Sequence, residues 1–127
     1  MLKPYLFIDH TVNMGRGVFT NERIPKDTVI EISPVVIMSS EDRVHLDKTK
    51  LHDYIFEWGN DGSHCCMALG LIPMYNHSYT SNCEYIMDYD EEMIEIKTVS
   101  DIEEGEELTI NYNGDWNDEA RIWFDAK

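Results

Sequence analysis

GEELTINYNGDW, Gly105 to Trp116, opens as a turn and continues as a strand: beyond Gly105 and two glutamates, Leu108, Ile110 and Tyr112 fall on one face of an extended chain. On that pattern alone Tyr112 is a core aromatic. The preceding residues extend the unit, because IEEGEELTI from Ile102 shares the spacing I-x-x-[D/G]-x-x-[I/L]-x-I with IPKDTVIEI from Ile24. Each is a turn feeding a strand, and turn-strand units often look alike, so the similarity is not by itself a duplication.

Other segments have the same character. YLFID (Tyr5–Asp9) and GVFT (Gly17–Thr20) are short strands separated by a turn containing Asn13, Gly15 and Gly17. TVIEISPVVIM (Thr28–Met38) is β-branched and interrupted by Pro34, which predicts a bent or edge strand. CEYIMDY and EMIEIKTV flank Asp90 and Glu91 and predict a hairpin, with Tyr85, Met87 and Tyr89 on one face and Ile94 and Ile96 on another. Trp116, Ala120, Trp123 and Phe124 recur at helical spacing after Asp115 or Asn117 as N-cap, which predicts a short closing helix. The expectation is a mostly β domain of short strands with few helices.

The 127 residues suit one domain, residues 1–127, with enough chain to bury a core. Hydrophobic content of 43% without a long apolar run or a signal-peptide pattern points to an intracellular protein. Twenty-five acids against 10 bases give a formal net charge of -15, which repels nucleic acid and anionic membranes and draws in basic peptides. Solubility is the plainer use of that charge. Cys65, Cys66 and Cys83 are odd in number with two adjacent, so reduced thiols are expected rather than a disulfide framework.

Three small motifs carry possible chemistry. Gly15-Arg16-Gly17 either shapes a turn or lets backbone approach a ligand. In MYNHSYTSNCEY (Met74–Tyr85), Asn76-His77-Ser78 is a polar turn or a binding pocket. A zinc site from His64, Cys65, Cys66, His77 and Cys83 is disfavoured, since adjacent cysteines seldom share one ion and no C-x-x-C pair exists. A nucleophilic pair of Cys65 or Cys83 with His77 requires a spatial adjacency that spacing does not supply.

Taken in chain order, Gly15-Arg16-Gly17-Val18-Phe19, then Asn76-His77-Ser78 with Asn82-Cys83, then Gly105 to Tyr112, resemble the SET-domain protein lysine methyltransferases. The resemblance runs from about Met14 to Trp116, includes IPKDTVIE and Tyr54 in HDYIF, and is closest in length to the minimal SET domains of viruses and bacteria. Tyr79 stands where many relatives have a zinc-binding cysteine, and no cysteine-rich tail follows Tyr112, so the zinc-bearing flanking modules are expected to be absent and no metal is expected.

The resemblance implies a β-clip of several small sheets with short helices and a C-terminal pseudoknot, and it implies S-adenosylmethionine as cofactor. Gly15, Arg16 and Gly17 would line the cofactor, Asn76 would hold its methionine part, and the His77 backbone would meet the adenine, with Trp116, Trp123 or Phe124 covering it. Tyr112 would be catalytic, and Tyr54, Tyr75 and Trp116 would wall the lysine channel. The partner would be a basic, histone-like segment, methylated in the cytoplasm of a bacterium or in a host nucleus if the chain is viral. A homodimer is an option for so small a domain. The alternative is a SET fold that holds cofactor or peptide without turnover.

Overall fold

Brief runs of β-branched and aromatic residues punctuated by Gly, Pro, Asn and Asp dictate short strands, and the computed structural model, which describes residues 1–59 and 64–112, has that form. The first strand pair is β1 (Leu6–His10) and β2 (Arg16–Thr20), antiparallel, with the rings of Phe7 and Phe19 stacked 5.9 Å apart. Then come β3 (Val29–Met38), helix α1 (Ser40–Leu46), β4 (Phe56–Trp58), β5 (His64–Ala68), β6 (Asn76–His77), β7 (Cys83–Asp88), β8 (Met93–Thr98) and β9 (Glu107–Ile110). They form one sheet in the order β1-β2-β9-β6 and another in the order β4-β5-β3-β8-β7. One core, including Val18, Ile30, Ile96, Leu108 and Ile110, lies between them. The mostly β expectation holds.

β3 is the middle strand of its sheet, not an edge. Pro34 is accommodated because β8 pairs Val29 to Pro34 on one side while β5 pairs Val35 to Met38 on the other, so the missing N–H falls where the strand passes between neighbours. The β7–β8 hairpin forms as expected, but Tyr85 lies opposite Ile96 and Met87 opposite Ile94. Directly opposed residues share a face, so these four point the same way, contrary to the two faces expected. Helix α1 was unanticipated, although Ser39 and Asp42 form a capping box: Asp42 N donates to Ser39 Oγ at 3.1 Å and Ser39 N to Asp42 Oδ2 at 3.2 Å. The expected closing helix, its aromatic residues and the last passage of the pseudoknot fall outside the described residues. Among the described residues no helix is long and apolar enough to cross a membrane.

The two similar segments pair with each other. Ile24 and Ile102 exchange N–H···O bonds, both 2.8 Å, and each is sealed in the core. The correspondence continues outward: Asp27 N donates to Thr98 O at 3.0 Å as Gly105 N does to Thr20 O at 2.8 Å. Asp27 and Gly105, the matched turn positions, are both left-handed, with φ of 64° and 86°. The two units are thus related by a local two-fold, and β3 and β9 are their respective strands.

Candidate functional site

β9 is where distant motifs meet. β6 lies parallel to it, Asn76 alongside Thr109 and His77 alongside Ile110, and Ser78 N donates to Ile110 O at 3.0 Å. Asn82 laces the following loop to the same strand: its Oδ1 accepts from Thr109 N at 2.8 Å and its Nδ2 donates to Glu107 O at 2.8 Å. β2 flanks β9 on the other side, so the Gly-Arg-Gly turn, the Asn-His-Ser triplet and the approach to Tyr112 come together in one four-stranded sheet.

Gly17, at the start of β2, is buried, and a Cβ there would stand 2.8 Å from Asn76 Nδ2 and collide with the Glu107 carboxylate. The space a side chain would fill holds those two groups. Asn76 Nδ2 donates to Glu107 Oε2 at 2.8 Å and to Arg16 O at 3.1 Å, both of them acceptors. With both N–H bonds committed, the amide has its Oδ1 acceptor left among the described residues. Gly15 differs: its φ of +71° suits glycine, and nothing lies within 4 Å of where a Cβ would be, so the backbone there is open. Arg16 contributes its carbonyl, and its side chain is exposed.

His77 is buried and accepts a hydrogen bond at Nδ1 from Tyr112 N at 3.1 Å, which puts the proton of the neutral ring on Nε2. Burial lowers the His77 pKa and keeps the ring neutral. Nε2 is sealed from solvent and has no hydrogen-bond partner among the described residues. The imidazole lies edge-on to Tyr79 at 4.3 Å and tilted against Tyr112 at 5.0 Å.

Tyr112 lies just past the end of β9, not on the strand face with Leu108 and Ile110. Its hydroxyl donates to Tyr75 O at 2.8 Å, the carbonyl immediately before Asn76. Its own carbonyl accepts from Tyr85 Oη at 3.1 Å, and Phe56 meets its ring edge-on. Burial first, then the electrostatic effect of Tyr54 and of carboxylates including Asp53 and Glu107, raises the phenol pKa, so at neutral pH Tyr112 is a hydrogen-bonding group and not a base.

Tyr54 caps the 3-10 turn Lys50–Asp53 and is close enough to act on the Tyr112 phenol. Tyr75 is different: its ring is fully buried and its hydroxyl donates to Glu31 Oε1 at 2.9 Å, so it offers the Tyr112 side its carbonyl and not a wall. Trp116 lies outside the described residues. Cys65, Cys66 and Cys83 are buried free thiols, and burial pushes the Cys66 thiol up to about 12 and raises Cys83 as well, which makes them poor nucleophiles. Among the described residues no three His, Cys, Asp or Glu side chains gather as a metal site.

Glu107, Tyr85 and Phe56 join this cluster without having been singled out in the sequence. Glu107 was legible in principle, since it lies in the Gly105–Tyr112 run. Tyr85 and Phe56 were not, because their role depends on which face each strand presents.

A family model for the SET domain matches residues 15–113. The chain is 38% identical over 128 residues to the histone-lysine N-methyltransferase, H3 lysine-37 specific, of Schizosaccharomyces pombe, covering 98% of this chain and 80% of that protein. Its structure is similar to the crystal structure of a Plasmodium falciparum candidate histone methyltransferase, with a TM-score of 0.68 and 26% identity, covering 91% of this chain and 98% of that one.

Proposed function

The chain belongs to the SET-domain family, and from that premise we propose that it transfers a methyl group from S-adenosylmethionine to a lysine amine in a basic, histone-like segment. One observation carries the reading: the Tyr112 hydroxyl bonds to the carbonyl of Tyr75, directly beside Asn76 and His77. A candidate catalytic group and a candidate cofactor motif are thereby joined by a single 2.8 Å contact.

The residues suit the cofactor. Asn76 retains an acceptor among the described residues, the right polarity for the ammonium of a methionine moiety. Open backbone at Gly15 permits the close approach that a side chain would block. When bound, the cofactor supplies an electrophilic methyl on a sulfonium. The chain's own work is orientation: Tyr112, held protonated with its O–H on Tyr75 O, would aim an oxygen lone pair at an N–H of the reacting amine, and rigid alignment of three atoms in line is worth much of the rate. The amine must be neutral, and an apolar wall such as Tyr54 and Phe56 lowers a lysine pKa from its usual value of about 10.4. Methyl transfer would exchange the cofactor's C–S bond for a C–N bond on the amine, whose proton would leave to water. No residue need serve as a dedicated base.

A net charge of -15 supports a substrate lysine flanked by further Lys or Arg. Calorimetry with S-adenosylmethionine, followed by transfer of labelled methyl to a panel of basic proteins, tests the reading. Saturable binding with label on lysine is expected. Absence of cofactor binding overturns it, and binding without transfer reduces the chain to a silent SET-fold binding module.

A further inference from the structure

Glu31 is 0% exposed, and among the described residues no Lys or Arg forms an ion pair with it. It reaches the interior through a β-bulge. β3 pairs Val29 with Lys97 and then Glu31 with Ile96, so Ile30 is the extra residue and both Ile30 and Glu31 point inward. The carboxylate is then saturated with donors. Oε2 accepts from Ser33 Oγ at 2.7 Å and from Leu71 N at 2.8 Å, and Oε1 accepts from Tyr75 Oη at 2.9 Å. Gly70, left-handed at φ +67°, is packed so tightly on it that a Cβ would collide with Glu31 Oε2 and Ser33 Oγ.

Stability alone does not account for this arrangement. A buried carboxylate without a cation carries a desolvation cost that a well-packed apolar side chain would not, and replacing buried ionic groups by apolar ones is often neutral or stabilising. What the three bonds accomplish is geometric. They tie β3 to Leu71 and Tyr75, the two ends of the segment that delivers the chain into β6. Tyr75 is also the residue whose carbonyl receives the Tyr112 hydroxyl.

We propose that Glu31 is a positioning residue for the candidate site, acting through Tyr75: its carboxylate fixes the Tyr75 phenol, which fixes the Tyr75 carbonyl, which aims the Tyr112 hydroxyl. Burial, with Glu31 second, raises the Tyr75 phenol pKa, so Tyr75 stays a donor to the carboxylate. The catalytic consequence rests on the function proposed above, whereas the geometric one does not.

The experiment uses three variants of the full chain. Tyr75→Phe removes one hydroxyl and keeps the ring. Glu31→Gln keeps the volume and replaces one acceptor by a donor. Glu31→Leu removes all three bonds. Each is assayed for melting temperature, for turnover and peptide KM, and for the ring resonances of Tyr112 in tyrosine-labelled protein, assigned by their loss in Tyr112→Phe. Tyr75→Phe and Glu31→Gln are expected to fold, to shift the Tyr112 resonances, and to lower turnover by about tenfold with cofactor affinity changed less than about twofold, the scale of one lost orienting hydrogen bond. Glu31→Leu should lose more turnover than Glu31→Gln even if it melts as high. Adding Tyr75→Phe to Tyr112→Phe should cost no further turnover, because both act through one contact. If the chain transfers no methyl group, the resonance shift still decides the geometric claim. Unmoved Tyr112 resonances in folded Tyr75→Phe, or a turnover loss that adds to that of Tyr112→Phe, overturn the proposal. If the Glu31 variants do not fold, Tyr75→Phe alone decides between these outcomes.

Discussion

The two turn-strand units, Ile24–Ile32 and Ile102–Ile110, begin alike and end differently. Both place a buried isoleucine against the other's backbone, turn through a left-handed residue and bury the next large aliphatic, Ile30 or Leu108. They then diverge by one residue. The bulge at Ile30 breaks alternation and turns Glu31 into the core, after which β3 continues to Met38 in the middle of a five-stranded sheet. β9 keeps its alternation, so Thr109 stays beside Asn82 and Asn76, and the chain leaves the sheet at Asn111 and Tyr112. The same local unit therefore serves as an anchor on one side and as the approach to the candidate site on the other. What decides is register and exit, not the shared pattern.

The most severe way to break this equivalence is to truncate its centre. Ile24→Ala and Ile102→Ala each remove a side chain at most 1% exposed, and each should cost about 2–5 kcal/mol, with the two losses comparable. Denaturant unfolding checks this. If one position tolerates alanine and the other does not, the two-fold is a likeness of backbone only.

Next in size is Tyr112→Phe, which probes what the β9 unit does that the β3 unit cannot. The substitution removes the bond to Tyr75 O and keeps the ring beside Phe56 and His77. Turnover should fall at least about tenfold, some 1.4 kcal/mol of transition-state stabilisation, with cofactor affinity much less affected. Wild-type turnover in the folded variant would return Tyr112 to the core.

Much of this was legible because it depends on residue type in order. The β1–β2 and β7–β8 pairs, the likeness of the two units and the three motifs are all written in local pattern. Glu31 was not, since a glutamate in VIEIS reads as a solvent-facing position until the bulge shifts the register. The hairpin faces failed for a related reason: which residues oppose each other depends on the closing pair Asp88 and Met93, which alternation within one strand does not reveal. Tyr75 read as a channel aromatic because its buried partner lies 44 residues away. Helix α1, in contrast, is signalled locally by the capping pair Ser39 and Asp42.

A smaller effect separates the two turns. Gly105→Ala adds no clash but forces alanine to φ +86°, which should cost about 1 kcal/mol. Asp27→Gly at the matched position relieves a strained φ of 64° but adds unfolded-chain entropy, so the change should stay within about 0.5 kcal/mol. Chemical denaturation of both variants measures the contrast. Equal destabilisation would mean that Asp27 is held by contacts and not merely tolerated.

The finest distinction is pH. The β9 unit leans on His77, whose Nδ1 accepts the Tyr112 N–H, while the ties of Glu31 in the β3 unit run to Leu71 and Tyr75. Burial lowers the His77 pKa below its ordinary 6.5, so the unfolded chain takes up a proton more readily than the folded one. Its contribution is complete above about pH 6.5 and is lost as pH falls through the lower folded value, because protonated Nδ1 no longer accepts from Tyr112. Stability measured from pH 8 to pH 5 should therefore fall more steeply in the wild type than in His77→Phe, which keeps a ring and removes the titration. The other four histidines are common to both proteins, so the difference between the curves isolates His77. Parallel curves would show that its protonation is not coupled to folding, and the β9 side would then be no more acid-sensitive than the β3 side.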